Sequence, residues 1–254
     1  MKVALIQTTL EWENPEANRK LLETRIKALE TDTGLVVLPE MFTSGFTMSP
    51  EGVAETMEGN TLEWMRKWAA EKDAAITGSV VIADNNKYYN RLLFVHPEGK
   101  VEYYDKRHAF TLAGEEKVYG TGDRQLVVRY RGWKICLMIC YDLRFPVWSR
   151  NTTAYDMILY VANWPLPRIG AWDTLLRARA IENLSYCIGV NRVGEDHNGH
   201  RYPGHSAVYD ALGNLSVFSE HDETLYSVLD REHIISCRDK YRFLDDRDDF
   251  ALNV

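Results

Sequence analysis

"ICLMICYDLRFP", residues 135–146, is an apolar run that stops at a cysteine. Arg131-Gly132 precedes the segment by a few residues and Pro146 closes it, so it is too short for a typical helix. It reads as the return arm of a hairpin whose first arm is "QLVVRY" (125–130). The segment reads as buried, and "GLVVLPE" (34–40), another short unalternated apolar run, suits a strand buried on both faces. Within the return arm, Cys136, Met138 and Cys140 share a face. At about 3.3 Å per residue, the two thiols stand roughly 13 Å apart, too far for a disulfide or a shared metal. Cys136 then reads as a small buried hydrophobe. Cys140 lies at the carboxyl end of its strand, the edge at which α/β sheets build sites. A thiol there, at a bend, presents its sulfur and leaves the next backbone N–H groups free as donors. To react it needs a base and an oxyanion partner.

The surrounding pattern extends the same architecture. "KVALIQT" (2–8), "GLVVLPE" (34–40), "DMILYVAN" (156–163) and "YCIGVNRV" (186–193) read as strands. Asn14-Pro15-Glu16 opens a helix with cap, first-turn proline and first-turn acid in sequence. A second helix runs from a cap at Asn60 or Thr61 to about Lys72, and a third from Thr174 to about Leu184. Hairpins are expected at Asp84-Asn85-Asn86, Arg131-Gly132 and Gly213-Asn214, with "VEYYDKR" (101–107) and "LYSVLD" (225–230) as further strands. Helices alternating with strands, but interrupted by hairpins, exclude a purely parallel sheet. They fit an α/β fold: a four-layer αββα sandwich, two mixed sheets face to face with helices outside. With no repeat, low-complexity run or linker, residues 1–254 read as one domain. The tail "RDKYRFLDDRDDF" (238–250) is too charged to pack as core, and residues 236–254 are expected at most at a dimer interface.

A net charge of −7 and a pI near 5.6 argue against a nucleic-acid binder working through a basic face. No apolar stretch is long enough to cross a bilayer, and "MKVALIQTTLEW" begins as a strand, not a signal peptide. The expectation is a cytoplasmic protein whose four cysteines are reduced thiols.

Two more strand ends carry chemistry. Glu40 follows Pro39 with Leu38, Met41 and Phe42 around it, and a carboxyl kept among apolar side chains can exchange protons near neutral pH. Lys106 ends the strand beginning at Val101. A lysine beside Cys140 should favour the thiolate.

These three strand ends, in "LPEMF" (38–42), "YDKRHAF" (104–110) and "ICYDLRFP" (139–146), resemble the nitrilase, or carbon–nitrogen hydrolase, superfamily in order and spacing. "GEEKVYGTG" (114–122) and "ANWP" (162–165) extend the resemblance over almost the whole chain, and "LAGEE" (112–116) with the length favours the ω-amidase-like branch. One departure is Ala109, where the family more often has leucine; it touches packing. The resemblance implies Cys140 as nucleophile, Glu40 as general base and acid, and Lys106 as oxyanion stabiliser, helped by the backbone N–H of Tyr141. Glu115 would hold Lys106 and the substrate amide. It further implies a thioester intermediate, no metal or organic cofactor, a homodimer or larger assembly, and a dicarboxylate monoamide substrate such as 2-oxoglutaramate or 2-oxosuccinamate. Rival readings are an N-carbamoyl amine or deaminated-glutathione amidase of the same family, a thiol acyltransferase, and a non-catalytic scaffold.

A substrate carboxylate needs a cation, and arginine presents a planar fork of donors. Arg144, four residues after Cys140, is the first candidate; Arg168 is the rival, and a salt bridge from Arg144 to Asp142 is the structural alternative. Trp164, after a strand end, and Phe42 are the other candidate substrate contacts. Trp133, Trp148 and Trp172 read as core. His197, His200 and His205 sit in the polar loop "GEDHNGHRYPGH" (194–205), where spacing fixes no geometry, and they read as surface histidines.

Overall fold

The structure is a computed structural model that describes residues 1–252. The chain begins β1 (Lys2–Gln7), α1 (Pro15–Lys27), β2 (Thr33–Val37), α2 (Asn60–Lys72), β3 (Ala75–Asp84), β4 (Lys87–Val95), β5 (Val101–Asp105) and the two-residue β6 (Tyr119–Gly120). It continues β7 (Val127–Tyr130), β8 (Trp133–Ile139), β9 (Met157–Ala162), α3 (Ile169–Asn183) and β10 (Tyr186–Asn191). A small hairpin, β11 (Val193–Glu195) and β12 (Arg201–Pro203), precedes β13 (Ser206–Tyr209), β14 (Leu215–Ser219), β15 (Glu223–Val228) and α4 (Arg231–Tyr241).

Two mixed sheets result. The first runs β15-β1-β2-β3-β4-β5, with β6 beside β4, and the second runs β14-β13-β10-β9-β8-β7. Side-chain alternation assigns each residue to a layer. Val3, Leu5, Leu35 and Val37 face the second sheet, whereas Ala4, Ile6, Val36 and Leu38 face α1 and α2, where Leu22, Ile26, Leu62 and Met65 meet them. Beyond the second sheet, Trp172, Leu176 and Ala180 of α3 continue the inner core. The αββα sandwich is therefore present, and the unbroken apolar strands reflect burial on both faces.

Three elements depart from the sequence reading. Phe42 is one and is treated with the site. The third helix starts at Ile169, five residues before Thr174, because the turn Leu166–Arg168 feeds straight into it without a side-chain cap. The charged tail also hides α4: Asp230 caps it, Ile234 and Cys237 bury one turn apart, and Leu244 buries beyond it. Arg238 from this helix donates to the Leu184 and Tyr155 carbonyls at 3.0 and 2.6 Å.

β2 and β5 point the same way in the first sheet, and β8, β9 and β10 run parallel in the second. Their carboxyl ends meet at one end of the sandwich, where Glu40, Lys106, Cys140 and Asn163 follow them.

Candidate active site

Each group is brought in by a bend just past a strand. After β2, Met41 adopts a positive φ of 43° and its N–H is held by Ser79 Oγ at 2.8 Å, which turns the chain and leaves Glu40 facing the junction of the sheets. Glu40 is fully buried. Its Oε1 accepts from Lys106 Nζ at 3.0 Å and Asn90 Nδ2 at 2.8 Å; its Oε2 accepts from the Asn163 N–H at 2.8 Å. The apolar surroundings expected for Glu40 are thus replaced by donors from three distant strands. Leu38, Met41 and Phe42 belong instead to packing clusters.

Lys106 is also buried. Its ammonium bonds both oxygens of Glu115 at 2.9 Å, as well as Glu40, and lies 5.0 Å over the Phe46 ring. Burial alone would lower its pKa, but Glu115 and Glu40 outweigh that and raise it, so it stays charged. Burial pushes the Glu115 carboxyl above the usual range, with Lys106 pulling the other way. The loop carrying Glu115 returns close to β5: the Gly122 N–H donates to the Lys106 carbonyl at 2.9 Å, and a Cβ at Gly122 would sit 2.2 Å from the Asp105 carbonyl oxygen.

Cys140 opens a tight 3₁₀ turn, Cys140–Arg144, in the left-handed region at φ 43°. The reversal throws its sulfur off the strand to the floor of a pocket, partly exposed. Burial, then the charge of Glu40, push its thiol pKa well up, and Lys106 only partly offsets them. This corrects the expectation of a resting thiolate: the thiol stays protonated until a base takes the proton.

The turn is fixed by Asp142, which sequence reading missed. Its buried carboxylate accepts from the Ile139 N–H at 3.0 Å and Tyr104 Oη at 2.8 Å, and from the His108 N–H and Nδ1 at 3.0 and 2.8 Å. Arg144 therefore finds no partner in Asp142. It is exposed, with its guanidinium 5.1 Å over the Trp164 ring in the pocket wall.

The pocket encloses about 360 Å³, within the range of small-molecule sites. Cys140, Tyr141, Lys106 and Asn163 form its chemical end; Phe46, Phe110 and Trp164 line its sides. Arg144 and Arg168 both reach it, Arg168 lying 5.1 Å over Phe110, and among the described residues neither has a carboxylate partner. The β11–β12 hairpin supplies Asp196, Asn198, His200 and Tyr202 as an outer wall. Sequence reading passed over this hairpin, and Trp12 and Phe46 with it. Phe42, expected to touch substrate, is fully buried against Gly78 and Trp64, and Phe46 takes that place. The three loop histidines go separate ways: His200 lines the pocket, His197 stacks on Trp12, and His205 pairs with Asp173 at 2.9 Å.

A thiol, a carboxylate and a fixed ammonium around one small pocket suit acyl transfer from an amide. The carbon–nitrogen hydrolase family model matches residues 2–239, and the chain belongs to that family: it is a hydrolase of carbon–nitrogen bonds in amides. Within the family, the omega-amidase YafV of Yersinia enterocolitica is 43% identical over 254 residues, covering 99% of this chain and 98% of its own. The 2-oxoglutaramate amidase of Bacillus subtilis is 31% identical over 84% of each chain. A carbon–nitrogen hydrolase superfamily protein of Xanthomonas campestris, solved with an arsenic adduct in its active site, superposes with a TM-score of 0.97 at 41% identity, covering 100% of this chain and 99% of that one.

Proposed function

We propose that the protein is an ω-amidase that releases ammonia from a monoamide of a short dicarboxylate, such as 2-oxoglutaramate or 2-oxosuccinamate. The observation that carries this reading is the convergence of Glu40 and Glu115 on Lys106, which lines the same pocket as Cys140, together with Arg144 and Arg168, neither of which has a carboxylate partner among the described residues. The full-length similarity to proteins named omega-amidase supports it.

The steps follow from the proton positions. Glu40 takes the Cys140 proton as the sulfur attacks the amide carbon. The carbonyl oxygen becomes an oxyanion, held by Lys106 and by the Tyr141 N–H, which the 3₁₀ turn leaves without an intrahelical acceptor. Glu40 then protonates the departing nitrogen, the C–N bond breaks, and ammonia leaves a thioester on Cys140. Water attacks that thioester, giving its proton to Glu40; the C–S bond then breaks, Glu40 returns the proton to the sulfur, and the acid product leaves the free thiol. Glu115 keeps Lys106 aimed at the oxyanion. No metal or organic cofactor enters these steps.

Arg144 reads the distal carboxylate, with Arg168 as the second candidate. The Trp164 face pre-orients the guanidinium, and Trp164 lines the chain of the substrate. Arg144→Met is expected to lower kcat/KM on 2-oxoglutaramate on the order of 10- to 100-fold, the worth of a charged hydrogen-bond pair, while sparing a neutral primary amide of equal length. Equal losses on both would make Arg144 structural, with the carboxylate read elsewhere. A wild-type protein with no preference for the acid amide would overturn the ω-amidase reading.

The single domain works in the cytoplasm, where its four unpaired cysteines remain reduced. Two copies pair through α3 and the C-terminal region, where Ile181 and Ile235 leave large apolar side chains exposed. Light scattering at micromolar concentration should give a dimer mass or a multiple of it; a monomer would refute the pairing.

A further inference from the structure

Lys106 and Cys140 belong to different sheets, so no shared ladder of backbone hydrogen bonds fixes their separation. Among the described residues, the side-chain hydrogen bonds that tie the segment around Lys106 to the segment around Cys140 form one network. Asp142 accepts from Tyr104 and His108 on one side and from the Ile139 N–H on the other; Trp148 Nε1 donates to Tyr104 Oη at 3.0 Å. The His108 ring also lies flat on Phe145, centroids 3.7 Å apart, and the Phe145 N–H closes the turn onto the Asp142 carbonyl at 3.0 Å. We infer that His108 and Asp142 are a positioning pair, which sets the placement of Lys106 and the Tyr141 N–H relative to the Cys140 sulfur. This deepens the reaction proposed above and rests on it.

The geometry fixes the direction of each bond. A carboxylate that takes hydrogens from two backbone amides and a tyrosine hydroxyl is an acceptor throughout, so His108 Nδ1 carries the hydrogen and donates. Burial, and then the Asp142 charge, raise the Tyr104 pKa well above its ordinary value, so Tyr104 too remains a donor. Neither His108 nor Asp142 lines the pocket; they act through the groups that do. A displacement near 1 Å at a reacting centre costs on the order of 10²-fold in rate, which makes such a tie worth keeping.

His108 is partly exposed, so its variants should fold, whereas Asp142→Asn puts an amide among buried donors and is the riskier change. The experiment is steady-state ammonia release by wild type, His108→Ala, His108→Asn and Cys140→Ala, normalised to folded protein. Asparagine keeps a donor near the Nδ1 position but loses the stack on Phe145. The expected result is that kcat falls about 10- to 100-fold in His108→Ala with KM within about threefold, and that His108→Asn recovers most of the loss. A wild-type kcat in His108→Ala, a loss confined to KM, or an asparagine variant as impaired as the alanine one would overturn the positioning role. Turnover retained in Cys140→Ala would instead overturn the underlying reaction, so the two failures are told apart.

Discussion

Glu40→Gln should give a folded protein whose ammonia release is at least about 10²-fold slower, the usual scale for losing a general base. Glutamine matches glutamate in shape, but its amide nitrogen must face a donor whichever way it is turned. On one side stand Lys106 and Asn90, on the other the Asn163 N–H. A mismatch of about 1–3 kcal/mol follows, enough to lower the melting temperature without unfolding the chain. The thiol should respond in the opposite sense to turnover. Glu40 is the second largest cause, after burial, of the raised Cys140 pKa. Removing its charge lets the thiol ionise at lower pH, so the midpoint of alkylation by iodoacetamide should move down while catalysis collapses. An alkylation midpoint that moves up, or near-normal turnover, would remove Glu40 from the proposed role.

Lys106→Met should cost at least about 10² in kcat through loss of the oxyanion cation, and it should also carry a pH signature. It leaves Glu40 and Glu115 buried together with no counter-charge. Removing one partner of a buried ion pair costs about 3–5 kcal/mol when the other stays charged. Here the remaining carboxyls can take up a proton instead. Glu115 is already raised by burial and by Glu40, and losing Lys106 raises it further. A carboxyl whose folded pKa exceeds its unfolded value adds stability when protonated, and that share disappears as pH rises through the interval between the two values. The variant's deficit against wild type should therefore be smaller near pH 5 than near pH 8 in thermal melts. A pH-independent deficit would mean that Lys106 does not compensate these carboxylates.

Two strand ends of the site were legible because a buried strand is a short apolar run, and Glu40 or Cys140 at its end is conspicuous; Lys106 ends the half-buried, polar strand Val101–Asp105 and stood out only through its place in "YDKRHAF". What surrounds each group was not legible, because chain neighbours and spatial neighbours differ at a bend. Met41 turns the backbone, so Phe42 crosses to the helix side of β3, against a glycine at 78 that leaves room for its ring: a Cβ there would lie 2.9 Å from Phe42 Cδ1. Phe46 returns to the pocket four residues later. Asn90 and Asn163, which hold Glu40, lie 50 and 123 residues away and carry no charge to draw notice. Asp142 reads in sequence only as a candidate salt-bridge partner of Arg144, because nothing local shows that Tyr104 and His108 will close over it. α4 escaped because Ile234 and Cys237 make too narrow an apolar stripe among charges for its period to stand out.

Each sheet brings an incomplete set of reacting groups: Glu40, Lys106 and Glu115 follow strands of the first, Cys140 and Asn163 strands of the second. A chain caught with only one sheet formed, during synthesis or under mild denaturant, has no assembled base, cation and nucleophile. Amide hydrolysis is thereby a gauge of sandwich closure. Any loosening between the sheets should silence the enzyme before its helices or its bulk secondary structure register the change.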